Sequence, residues 1–239
     1  MPPRPSCPPD GVALLVPVKS TARAKTRLSA LLTPPEREAL VRVMLETVLG
    51  ELASAWPDAP RWVTSSDPWV LTRAKALGFG LLRESTQESE SASVDAASAR
   101  LAAGGAAGVL RLPLDLPLFR AETLAPLWDA LDQGAQVVLA PSRDGTGTNA
   151  LYRSPPCRFP SRFGPDSLRL HSEAARQSGC EPWIVSVPEL GLDIDDPADL
   201  MELLRRGEPC KTLELLRTLE LEQRLARRTA PGGISLSRD

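Results

Sequence analysis

Lys19, Arg23, Lys25 and Arg27 lie within nine residues just after the apolar run Val12-Ala13-Leu14-Leu15-Val16, with Ser20 and Thr21 between them. A loop of that kind at the carboxyl end of a strand carries the charge and donors that offset repulsion among the phosphates of a nucleotide. The same residues also fit a solvated basic loop whose exposed cations add little to the fold. The loop lacks the glycines of a P-loop, which argues against a Walker-type ATPase.

Two acidic groups complement these cations. Asp115 sits between leucines and prolines in Pro113-Leu114-Asp115-Leu116-Pro117, at the end of the apolar strand Gly108 to Leu112. A carboxylate there is costly to bury unless it binds a cation or caps something. Mg2+, held by one or two carboxylates plus substrate phosphates, is the natural occupant. In Leu192-Asp193-Ile194-Asp195-Asp196-Pro197, alternation points Asp193 and Asp195 to one face, so both are candidates to complete a metal site with Asp115. Asp196 reads instead as the cap of a helix beginning at Pro197.

Two further segments could hold a second substrate. Arg143 to Leu151 offers flexible backbone, the hydroxyls of Thr146 and Thr148 and the amide of Asn149. Phe163-Gly164-Pro165-Asp166-Ser167 opens a helix read as running from Pro165 to about Ser178, whose free N–H groups would attract an anion. His171, the one histidine, lies a turn beyond Ser167 on the same face. Taken alone, such a histidine is more often structural than catalytic.

The elements that must position these residues alternate. Strands are read at 11–18, 61–64, 80–82, 108–112, 136–140 and 183–187, with helices from Thr33-Pro34-Pro35-Glu36 to Gly50, at 69–77, 93–103 and 121–131, and a final one at 213–226. The first helix carries a capping box. Alternating strands and helices imply an α/β fold with a mostly parallel sheet, helices on both faces, and ligands outside the carboxyl ends of the strands. The division to expect is a flexible segment at 1–10, one domain at 11–206, a C-terminal helix at 207–228 and a flexible tail at 229–239.

The 239 residues suit a single domain. Hydrophobic residues make up 42% and charged ones 24%, with a formal net charge of −2, so no broad positive field favours nucleic acid. Four dispersed cysteines suggest neither a disulfide framework nor a zinc site. No apolar stretch is long enough to span a bilayer. A cytoplasmic protein with reduced thiols is expected.

In order along the chain, Pro17-Val18-Lys19 to Ala24-Lys25-Thr26-Arg27-Leu28, Ser66-Asp67-Pro68, Leu112-Pro113-Leu114-Asp115-Leu116-Pro117, Asp144 to Leu151, Phe163 to Ser167 with His171, and Asp193 to Leu200 resemble the 2-phospho-L-lactate or phosphoenolpyruvate guanylyltransferases of coenzyme F-420 biosynthesis. The resemblance covers roughly Leu14 to Leu200. It implies a Rossmann-like, nucleotide-diphospho-sugar transferase fold, shared with enzymes that guanylylate the molybdenum cofactor. It implies transfer of GMP from GTP to a phosphorylated three-carbon carboxylic acid (2-phospho-L-lactate, phosphoenolpyruvate or 3-phosphoglycerate) with release of diphosphate. By the same resemblance Lys19, Lys25, Arg27 and Asp115 are catalytic, and Lys19, Arg23, Lys25, Arg27, Ser66, Asp67, Ser93 and Asp95 hold the nucleotide. Thr148, Asn149, Gly164, Ser167 and His171 hold the acceptor, and Asp115, Asp193 and Asp195 hold Mg2+. Where many members have Gly-Leu-Asn near the nucleoside, this chain has Ser93-Val94-Asp95, which leaves the base preference open. A homodimer and a downstream transferase taking the activated product are the partners to expect. The alternatives are another acceptor, such as molybdenum cofactor or a sugar phosphate, and a non-catalytic nucleotide-binding protein.

Overall fold

The computed structural model describes residues 7–21, 24–85 and 88–229. Strand β1 (Val12–Val18) is buried along its whole length. Val12, Leu14, Val16 and Val18 face one layer while Ala13 and Leu15 face the other, which is why the run is continuously apolar. With β2 (Arg61–Ser65), β3 (Gly80–Arg83), β4 (Gly108–Arg111), β5 (Val137–Pro141), β6 (Thr148–Arg153) and β7 (Trp183–Ile184) it forms a seven-stranded sheet in the order β3-β2-β1-β4-β6-β5-β7. All pairings are parallel except those of β6, which runs antiparallel to both β4 and β5.

Helices α1 (Pro34–Ala55), α2 (Pro68–Ala76) and α4 (Ala125–Asp132) pack on one face. The other face is covered by α3 (Glu90–Ala103) and α5 (Ser167–Gln177). Thr33 and Glu36 form the expected capping box of α1, but the helix continues through Gly50 to Ala55 because Leu49 and Leu52 keep its buried stripe in register. Helix α5 starts two residues later than the sequence suggests. Gly164 (φ 122°) and Asp166 (φ 61°) hold left-handed backbone, so Pro165 stands in the turn instead of the first helical position. Strand β7 is only two residues long.

Past a short helix α6 (Pro188–Gly191), α7 (Pro197–Arg206) is capped by Asp196. The expected single C-terminal helix is two, α8 (Lys211–Thr218) and α9 (Leu221–Thr229), broken at Glu220, whose φ is 52°. These helices belong to a second core that joins Leu28, Leu31 and Leu32 to Leu40, Met44, Leu118, Leu192, Ile194, Leu216 and Leu221. Leu28 follows the basic loop, Leu118 follows Asp115, and Ile194 separates Asp193 from Asp195. One apolar cluster therefore anchors all three polar segments of the site.

Candidate active site

The carboxyl ends of β1 and β4 open into a cleft of about 510 Å³ lined by Lys19, Ser20, Lys25, Arg27, Glu90, Ser93, Arg111, Asp115 and Asp195, among others. Asp115 is placed by the turn after β4, and its carbonyl accepts the Ile194 N–H at 3.1 Å, which draws the 193–195 segment alongside. Ile194 is fully buried in the second core, so Asp193 and Asp195 turn the other way. Oxygen atoms of Asp115, Asp193 and Asp195 lie within 4.8 Å of one another.

Lys25 enters this acidic group. Its backbone is left-handed (φ 55°), and its Nζ donates to Asp115 Oδ2 at 2.5 Å and to Asp195 Oδ1 at 2.8 Å. The lysine side chain is only 9% exposed, so it is not the solvated loop cation that the sequence suggests. Burial works against its charge, but the two facing carboxylates more than offset that and raise its pKa. Burial likewise pushes the Asp115 carboxyl up, and the Lys25 ammonium brings it below the ordinary value. Asp193 has no such cation: burial, then the charge of Asp115, raise it to about 6, against a hydrogen bond from Asn149 Nδ2 at 3.0 Å.

These three carboxylates fit a divalent cation. Asp115 Oδ1 is buried and has no hydrogen-bond partner among the described residues, and the donor set is all oxygen, as Mg2+ prefers. Lys25 partly neutralises the group within the protein itself.

The remaining residues singled out in the sequence fall elsewhere. Lys19 and Arg27 line the cleft, exposed, whereas Arg23 lies outside the described residues. Ser66 is exposed at the end of β2. Asp67 caps α2 through the N–H groups of Trp69 and Val70, and accepts from both N and Oγ1 of Thr21 at 3.0 Å. It thus ties the start of the basic loop to α2. Ser93 lines the cleft, but Asp95 turns away to pair with Arg153 and to accept from Ser161.

Thr148, Asn149, Gly164, Ser167 and His171 gather beside the cleft without lining it. Asn149 donates to the Leu190 carbonyl as well as to Asp193. Ser167 is buried, its N–H bonded to the Gly164 carbonyl, and the Leu168 N–H is taken by the Thr146 carbonyl. Fewer N–H groups are free at this helix start than proline at the first position would leave. His171 is fully buried; its Nε2 accepts from the Arg162 N–H at 2.8 Å, so Nδ1 carries the proton toward Thr148 Oγ1 at 3.0 Å. Burial, then Arg153 and Arg111, lower its pKa to about 3. The neutral ring braces Thr148.

Sequence reasoning missed Arg111 and Glu90. Arg111 occupies an apolar strand and pairs with Glu90 at the start of α3. The only signal was an arginine inside Gly108 to Leu112, a position that demands a partner.

The family model described as "Guanylyl transferase CofC like" matches residues 12–235. The chain belongs to this family. It is accordingly a nucleotidyltransferase. Among its relatives, a phosphoenolpyruvate guanylyltransferase of Rubrobacter xylanophilus is 36% identical over 82% of this chain and 95% of its own. A 2-phospho-L-lactate guanylyltransferase of Methanosphaera stadtmanae is 30% identical over 88% of this chain and 91% of its own. In fold the chain is similar to a Desulfovibrio desulfuricans G20 protein described as a nucleotide-diphospho-sugar transferase, with a TM-score of 0.73 and 18% identity over 90% of this chain and 98% of that one. No described helix is long and apolar enough to cross a membrane.

Proposed function

We propose that this chain transfers GMP from GTP to a phosphorylated three-carbon acid, phosphoenolpyruvate, 2-phospho-L-lactate or 3-phosphoglycerate, releasing diphosphate, as a cytoplasmic step of coenzyme F-420 biosynthesis. The observation that carries the reading is the cleft in which Lys19, Lys25 and Arg27 face Asp115 and Asp195 at the ends of β1 and β4. An oxygen of the acceptor's phosphate attacks the α-phosphorus of GTP in line with the bond to the β-phosphoryl bridge, and that bond breaks. The nucleophile is already an anion, so no general base is needed. That agrees with a lone histidine that is buried, neutral and hydrogen-bonded on both ring nitrogens.

Lys19 and Arg27 hold the phosphates and neutralise charge that moves onto the leaving group. Asp115, Asp193 and Asp195 would hold Mg2+, which when bound supplies positive charge against the reacting phosphates. Lys25, which lines the same cleft and bonds Asp115 and Asp195, adds its charge beside the nucleotide's phosphates. Thr148, Gly164 and Ser167, beside the cleft, back the side on which the acceptor would sit, and Asn149 links that side to Asp193. The phosphoanhydride formed is activated for a following transferase.

The test is incubation with GTP, Mg2+ and each acid in turn, reading the guanylylated product by mass spectrometry and diphosphate in parallel. One acid should yield product, and Asp115→Asn should lower that rate at least ~10²-fold, the scale on which loss of one transition-state stabiliser is felt. Product with only a sugar phosphate or a molybdenum cofactor precursor would reject the acceptor class.

A further inference from the structure

The wall of the cleft built by the start of α3 is acidic. Glu88, Glu90 and Ser93 line the same space as Lys19 and Arg27, and past Ser93 the cleft adjoins a second cavity of about 320 Å³ between β3 and α3. A carboxylate on the wall of a polyphosphate site repels its ligand unless it meets hydrogen-bond donors.

Glu90 is held in place. Ser89 caps α3 by accepting the Ala92 N–H at 3.1 Å, which fixes Glu90 as the first helical residue. Glu90 Oε1 accepts from Arg111 Nη2. Arg111, 5% exposed, is itself locked: Nη1 donates to the carbonyls of Thr148 and Asn149, and the guanidinium lies 4.3 Å above the Phe163 ring. The Glu90 side chain remains 29% exposed, and its Oε2 accepts no hydrogen bond among the described residues. Asp95, the other acid of α3 near this wall, is engaged with Arg153 and Ser161 on the far side.

We propose that Glu90, oriented by Arg111, is a specificity-determining residue that accepts hydrogen bonds from paired donors of the bound nucleoside. This rests on the guanylyltransferase reading and extends it to the nucleoside. Two pairs of donors fit a carboxylate: guanine N1–H with the exocyclic amine, and the ribose hydroxyls. ITP lacks the amine and dGTP lacks the 2′-hydroxyl, so the two sources are separable.

The experiment is calorimetric titration of the full chain and of Glu90→Gln with GTP, ITP and dGTP in Mg2+. The unsubstituted protein should prefer GTP over one of the analogues. Glu90→Gln should weaken GTP about tenfold or more while leaving that analogue nearly unchanged, so that the preference collapses. A loss confined to the ITP comparison assigns Glu90 to the base, and one confined to dGTP assigns it to the ribose. Equal losses for all three nucleotides would mean that Glu90 only neutralises Arg111, overturning the inference while the guanylyltransferase reading stands. Absence of GTP binding to the unsubstituted protein would overturn both. If Glu90→Gln does not fold, equal affinities of the unsubstituted protein for the three nucleotides still reject the inference, and Glu90→Asp, which keeps the charge on a shorter arm, repeats the comparison.

Discussion

Lys25 shows how much one side chain changes the chemistry of this site. A short basic loop reads as a set of equivalent cations, yet among its described cations Lys25 alone turns inward and spans two carboxylates, while Lys19 and Arg27 stay exposed. Without Lys25, Asp115 is a half-buried carboxylate left with the charge of Arg111 to favour its ionised form, beside an Asp193 already raised to about 6 by burial and by Asp115 itself. Breaking a buried pair by removing one partner costs several kcal/mol, less where one carboxylate reaches water, as Asp195 does. Lys25→Ala should cost about 2–3 kcal/mol without metal. At about 2–4 °C per kcal/mol, Tm should drop by roughly 4–12 °C in a thermal melt with chelator. Mg2+ should then raise the Tm of the variant more than that of the parent, since the carboxylates no longer hold an internal cation. Equal melting curves with chelator would show that the pair contributes nothing to the fold.

At the scale of elements, α5 and β6 meet through His171 and Thr148, and their joint is sensitive to pH. An unfolded histidine takes up its proton near pH 6.5, whereas folded His171 stays neutral down to about 3. Between those values the unfolded chain binds the extra proton, so stability falls as pH drops from about 6.5 toward 3, by up to about 1.4 kcal/mol per unit, and is unaffected by this group above 6.5. Gln at this position does not titrate. His171→Gln should melt below the parent at pH 7.5, with the gap narrowing by pH 5; a constant gap would exclude this linkage. Much of this layer was legible in the sequence. Continuous apolar runs such as Val12 to Val16 mark strands covered on both faces, and Thr33 with Glu36 marks the start of α1. Strand direction is not written locally, and β6 itself does not stand out: Thr148 to Leu151 belongs to the stretch read as flexible backbone, yet Thr148 to Arg153 forms a strand antiparallel to β4 and β5. The split between α8 and α9 was hidden because a charged amphipathic pattern continues across Glu220, where one left-handed residue turns the chain. Asp193 and Asp195 could be grouped because alternation sets them on one face, and Asp115 joined them because a carboxylate among leucines and prolines calls for a cation. The pairing of Glu90 with Arg111 depends on how α3 lies against β4, which spacing alone does not supply.

For the whole molecule, two cores divide the work. The larger one holds α1, α2 and α4 against the sheet, and the second fastens the ends of the basic loop, the Asp115 turn and the 193–195 segment to α8 and α9. Leu216 on α8 and Leu127 on α4 are both buried, at 0% and 1% exposed, so truncating either to Ala should cost a similar ~2–5 kcal/mol. Their effects on the site should differ. Leu216 shares its cluster with Leu28, Leu118 and Ile194, the apolar neighbours of every charged segment in the cleft, so a cavity there loosens the spacing between Lys25 and the three carboxylates. Leu127 packs with the group under the sheet, a cluster that reaches the site at Val18 and Leu116 but holds neither the 26–32 segment nor Ile194. With both variants assayed well below their melting temperatures, Leu216→Ala should weaken GTP binding in Mg2+ and lower turnover, whereas Leu127→Ala should melt earlier and bind GTP as the parent does. Identical binding losses in the two variants would mean that the site responds to global stability alone and that the C-terminal helices give it no support of their own.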